Sequence, residues 1–211
     1  MILKIVSGLI ITYVLNALLT QIINNLNIKH KINKKIFALM YLLVPLLIIV
    51  VFKKNTLYPF NYQLLASVFF VVLLAYIAIV DLYIKLIPNI LLKIQLIMVI
   101  LFTCLDILSQ ANFSAQFLKA KLITLLLTGG SFFIVYLITK GALGAGDVRL
   151  MTILGITFNQ NVALAALFYS LISCAVISIA LMILRKLNSK DNVPFAPFIL
   201  VGTILSILQL T

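Results

Sequence analysis

Lys140-Gly141-Ala142-Leu143-Gly144-Ala145-Gly146-Asp147-Val148-Arg149-Leu150-Met151 leads three glycines into an aspartate at the head of an apolar segment. That segment, Asp147 to Phe158, is only about a dozen residues long, too short to cross a hydrocarbon core at about 1.5 Å per residue. A helix this short, with a carboxylate at its start, is tolerable in lipid only if protein walls it or it lines a wet cavity. Its natural partner is Asp81. That residue ends the apolar run Leu64 to Val80 and opens Asp81-Leu82-Tyr83-Ile84-Lys85-Leu86-Ile87-Pro88-Asn89. The chain has four acids and no glutamate, so two of its few carboxylates stand at the ends of apolar segments.

Around these stretches the composition leaves one solvent. Hydrophobic residues make up 64% of the 211 and charged residues 9%, more apolar surface than a water-soluble domain of this size can bury. The pattern predicts an all-α, polytopic membrane helix bundle of about eight apolar segments, forming a single integral-membrane domain over 1–211. Two N-terminal helices are expected within 1–60, about Ile2 to Ile23 and Ile36 to Phe52, the second kinked at Pro45. The first lacks a small-residue cleavage site and reads as a retained helix. A six-helix core over 62–211 follows: Tyr62 to Val80, Ile90 to Leu108, Leu118 to Thr139, the short segment at 147–158, Val162 to Leu184, and a last span ending near Thr211. Gly129-Gly130-Ser131 offers small residues for close helix approach.

The net charge of +12 does not read as a nucleic-acid surface. The lysines and arginines punctuate the apolar runs in short clusters, as loops facing anionic lipid do. With the N-terminus outside and eight crossings, eleven of them fall inside, among them Lys85, Lys140 and Arg149, and five outside, among them Lys119 and Lys121. This predicts a multi-pass protein of the cell inner (plasma) membrane, with Asp81 and Asp147 at the cytoplasmic face and Asp106 opposite. Asp106 and Asp191 read as loop charges, His30 as solvated, and Cys104 and Cys174 as buried small apolar residues. No metal site is expected.

Two carboxylates close together in a poorly hydrated place cannot both ionise, so they share a proton. One can then activate water while the other donates a proton, the requirement of peptide hydrolysis. The helix beginning near Asp147 offers a favourable dipole end. The glycines suggest a loop with positive φ that lets another backbone come close. Weighed singly, Asp147 also reads as an N-cap and Asp81 as an interfacial charge paired with Lys85.

Gly144-Ala145-Gly146-Asp147 is a GxGD motif, and Val148-Arg149-Leu150 continues it much as in the GDVKL of type IV prepilin peptidases. Asp81 with Ile87-Pro88-Asn89 resembles that family's D-x5-I-P-N motif, and Val193-Pro194-Phe195-Ala196-Pro197-Phe198 its C-terminal IPFGPF segment, with Ala196 in place of glycine. The three stand in the family's order. The resemblance implies a membrane aspartyl endopeptidase whose core is the six-helix segment, without cofactor. It would cut the short basic leader of type IV prepilin-like precursors after a glycine, at the cytoplasmic face. Asp81 and Asp147 carry over as the catalytic pair; Gly144, Gly146, Pro88, Asn89 and Arg149 as substrate-binding or loop-shaping residues. The insertion that methylating members carry after the first span is here only Asn24 to Lys35, without cysteine, which implies proteolysis without N-methyl transfer. Precursor proteins and membrane lipid are the partners implied, and nucleic acid is not. The alternative from the residues alone is a small proton- or cation-coupled membrane transporter using Asp81 and Asp147, with the short segment as a broken helix. A non-catalytic assembly factor is a third reading.

Overall fold

A computed structural model describes residues 62–109, 115–140, 143–185 and 192–210, with six isolated positions before them: Tyr13, Ala17, Thr20, Gln21, Val44 and Pro45. The described residues hold helices and no strand. We number the helices α1 (Tyr62–Ile84), α2 (Asn89–Ser109), α3 (Ala115–Leu125), α4 (Ser131–Ile138), α5 (Ala145–Thr157), α6 (Gln160–Ile183) and α7 (Ala196–Leu210). A single π-turn, Leu126–Gly130, joins α3 to α4 into one rod.

Among the described residues four helices are long and apolar enough to span a membrane: α1, α2, the α3–α4 rod and α6. α7 is a shorter apolar helix, and α5 has only 13 residues. The expected count of about eight is therefore not what the described residues contain. The two segments placed before residue 61 lie outside the described part. α1 is apolar on all sides and is the buried axis, with α2, α7 and α5 packed on it. Outward faces of α2, α4 and α6 expose Ile97, Leu101, Ile134, Leu137, Ile172 and Val176. Such a surface is stable only against lipid, and the protein is a multi-pass membrane protein.

α1 ends because Lys85 takes a left-handed conformation (φ 55°) while its amide still donates to the Asp81 carbonyl at 2.8 Å. Pro88 then offers its carbonyl to the amides of Leu91 and Leu92 and starts α2, which runs back along α1. Gln95 of α2 donates to the Phe70 carbonyl (3.2 Å), and Phe69 meets Phe102 at 5.1 Å. Buried hydroxyls are satisfied within their own helices. Thr128, Thr157, Ser170 and Thr203 each donate to the carbonyl four residues back, which lipid makes obligatory.

The short helix α5 is walled as its length demands, by α2, α3, α4, α1, α6 and the π-turn. Small residues set the distance: Gly129 faces Thr152 and Gly155 faces Thr128 so closely that neither has room for a Cβ. At the C-terminal end of α5, Lys121 Nζ donates to the carbonyls of Ile156 (3.0 Å), Thr157 (3.3 Å) and Phe158 (3.2 Å). Three carbonyls that the helix leaves unpaired are thus met by one cation, where the dipole favours positive charge. Lys121, expected on the outer side, caps the end of α5 remote from Asp147, a role its sequence does not show. Asp106, expected as a loop charge, is instead buried in α2 (4% exposed) near that lysine. Cys104, expected buried, is exposed. Asp191 lies outside the described residues.

Replacing Lys121 by Met leaves those carbonyls without a donor. We expect a loss of about 2–3 kcal/mol, on the scale of hydrogen bonds to a charged group, seen as a lower midpoint of unfolding in SDS. Lys121→Arg should recover most of it.

Candidate active site

Asp81 stands in the last turn of α1, carried there by the apolar run before it, and is almost fully buried (4% exposed). What meets it is the start of α7. The Ala196 amide donates to Asp81 Oδ2 at 3.1 Å, and the Phe195 amide also bonds to it. α7 starts at that point for local reasons. The Phe195 carbonyl accepts from the amides of Phe198 (3.0 Å) and Ile199 (3.2 Å). Pro197, within the first turn, lacks an amide that would otherwise go unpaired. Pro197 thus stands where a helix start tolerates proline. That the helix start delivers its amides to Asp81 was not legible.

Asp147 sits in the first turn of α5. Gly144 caps that helix through its backbone, accepting from the amides of Asp147 (3.0 Å) and Val148 (3.4 Å). The N-cap reading of Asp147 is therefore displaced by three residues. Its carboxylate turns back to accept from the Gly144 amide, the reciprocal half of a capping box. A Cβ on Gly144 would stand 2.8 Å from Asp147 Oδ2, so any side chain there displaces the carboxylate. The expected positive φ is not the reason for this glycine: Gly144 is extended (φ −65°, ψ 132°). Gly146 serves a different contact. A Cβ there would meet Ile87 Cβ at 2.9 Å, so glycine lets α5 lie directly on the turn after Asp81.

The same turn is tied a second time. Arg149 Nη1 donates to Asn89 Oδ1 at 2.7 Å, joining the GxGD segment to the Ile87-Pro88-Asn89 segment. Pro88 is the residue on which α2 starts. Lys85 meets Asp81 through its backbone amide, in the bond that ends α1.

All three segments line one cavity of about 660 Å³, with Asp81, Asp147, Gly144, Gly146, Asn89, Arg149, Pro194 and Phe195 in its wall. Half-buried Cys174 of α6 also lines it, a residue the sequence placed simply inside an apolar run. Among the described residues no three His, Cys, Asp or Glu side chains are grouped so as to hold a metal ion. Burial, and then the negative charge of Asp81, push the Asp147 carboxyl from 3.8 up to about 7, against the opposing pull of the Gly144 amide. A pair that retains one proton near neutrality has an acid and a base in the same cavity.

Residues 68–179 match the sequence model of the type IV leader peptidase family. The chain is also similar to a "Prepilin leader peptidase/N-methyltransferase" of Bacillus subtilis (strain 168), with 29% identity over 147 residues, which is 69% of this chain and 56% of that protein. It thus spans little more than half the length of that curated relative. No solved structure matches significantly.

Two outcomes follow from this geometry. Gly146→Ala forces its new methyl onto Ile87 and should cost about 1–3 kcal/mol of overpacking, again read as the unfolding midpoint in SDS. The four acids are all aspartates, so protein labelled with ¹³C at Asp Cγ gives few enough carboxyl signals to titrate in detergent. One of them should titrate near 7, and Asp81→Asn should lower its midpoint, because the like charge that favours the protonated form is removed.

Proposed function

The chain belongs to the type IV leader peptidase family, and from that membership we propose that it is a membrane aspartyl endopeptidase that removes the leader of type IV prepilin-like precursors. Its active site faces the cytoplasm, from the distribution of lysine and arginine, and it sits in the cell inner membrane. One observation carries the reading: the two aspartates that the family motifs single out, far apart in sequence, line one cavity with each carboxylate at the N-terminus of a short helix.

In this mechanism Asp81 is the base and Asp147 the acid. An amide can only donate, so the Asp81 oxygen facing Ala196 is an acceptor. A carboxylate has lone pairs beyond those that the two α7 amides use, and one of these takes the attacking water. Asp147 keeps its proton up to about pH 7 and passes it to the carbonyl oxygen of the scissile peptide as Asp81 takes a proton from the attacking water. The tetrahedral intermediate collapses with cleavage of the C–N bond: Asp81 gives its proton to the leaving amine, and a hydroxyl of the intermediate returns a proton to Asp147, which restores the pair. Gly144 and Gly146 hold the loop, while Asn89, Pro88 and Arg149 shape the wall that the substrate meets. The reaction ends at proteolysis. The segment between the first two apolar runs, Asn24 to Lys35, has no cysteine and is too short to build a methyl-transfer site.

The test is leader removal by the purified protein, followed by mass, from a precursor whose leader ends in glycine. Asp81→Asn and Asp147→Asn should each slow cleavage by about 10³-fold or more, in folded protein. The rate should fall as the pH rises past about 7, because the acid then loses its proton. The new N-terminus should stay unmethylated when S-adenosylmethionine is supplied. Intact precursor with well-folded native protein would turn the reading toward a transporter. Cleavage that survives both substitutions would mean that other residues do the chemistry.

A further inference from the structure

Beside the aspartate cavity lies a second, of about 510 Å³, between α2 and α5. One wall is a single stripe of α2, namely Asn89, Leu92, Lys93 and Leu96; the other is Arg149, Thr152 and Ile153 of α5. The stripe covers roughly 10 Å at 1.5 Å per residue. Its two ends differ in chemistry. Lys93 and Arg149 stand beside Asn89, at the end nearest the aspartates, and no acid lines the cavity. Apart from Thr152, the rest of the wall is the apolar Leu92, Leu96 and Ile153, and one turn past Leu96 stands exposed Ile100, on the face that α2 turns to lipid.

Two cations facing one space without an acid repel each other, and an anion between them removes that cost. Arg149 spends one donor on Asn89 and keeps others for such a ligand. The occupant must therefore be anionic at one end, apolar over about 6 Å alongside Leu92 and Leu96, and supplied from the membrane. A soluble anion meets the cations but leaves the apolar stripe bare. A zwitterionic lipid brings its own cation to a site that already holds two. We infer that this cavity binds an anionic phospholipid, its phosphate between Lys93 and Arg149 and an acyl chain along Leu92, Leu96 and Ile153. Asn89 and Arg149 line both cavities, so the bound lipid borders the aspartate site.

The test uses the whole purified chain in mixed micelles of phosphatidylglycerol and phosphatidylcholine, with retained lipid counted by native mass spectrometry. At equal mole fractions, two cations should favour phosphatidylglycerol by about thirtyfold, and Lys93→Gln should reduce this to about fivefold. Leu96→Trp fills the apolar stripe without touching either cation, and should reduce retention of the anionic lipid at an unchanged unfolding midpoint. Inorganic phosphate at millimolar concentration should displace nothing. The inference is overturned by equal retention of the two lipids, or by a preference unchanged in both variants. Displacement by phosphate, which would mark a free-anion site, or by a precursor peptide, which would mark a substrate pocket, also overturns it. None of these readings depends on whether the chain cleaves a precursor.

Discussion

The contact between the first amides of α7 and the Asp81 carboxylate is the constraint on which the rest of the bundle depends. A helix start leaves amides unpaired, and a carboxylate 4% exposed has lost its water. Packed together, each satisfies the other. The 3.1 Å bond from Ala196 does this for Asp81, and the Gly144 amide does it for Asp147. Both carboxylates thus rest where a helix dipole favours negative charge. The arrangement needs α5 and α7 to begin beside the aspartates.

Helix lengths leave room for this. α5 has 13 residues and α7 has 15, whereas α6 and the α3–α4 rod have 24 each. At 1.5 Å per residue the short pair are roughly 20 Å long and the long pair about 36 Å. Two short helices among longer ones leave a recess, and the cavity of about 660 Å³ lies at their starts. The short helices must in turn be held. α5 is gripped by glycine contacts along its side and by Lys121 at its far end. α7 is pressed onto α6 where Gly202 meets Ser170 and Ala166.

The three sequence motifs acquire separate physical roles from this arrangement. Asp81 through Asn89 ends one helix and starts the next, presenting Asn89 to Arg149. The GxGD segment starts α5, with Gly144 yielding space to a carboxylate and Gly146 to Ile87. The segment around Pro194 and Pro197 starts α7 on Asp81. None of the three builds the cavity alone. Their contribution is pairwise, which is why segments more than a hundred residues apart belong to one site.

The sequence by itself determined the solvent, the helical class, and the shortness of the segment after Asp147. Those follow from composition and from runs of apolar residues measured against the width of a bilayer. It also marked Asp81 and Asp147, because a carboxylate beside an apolar run is costly wherever it falls. It misjudged Asp106, which reads as a loop charge because it stands near the end of an apolar run and is instead buried in α2. The glycines were seen, but their reason was not: Gly144 is extended rather than left-handed, and the carboxylate that needs its space lies three residues further on. Only the tertiary structure decided which orphan amides face which carboxylate, and that Lys121 closes the end of α5. Backbone donors and acceptors are the same in every residue, so composition and spacing carry no mark of them; packing alone assigns their partners.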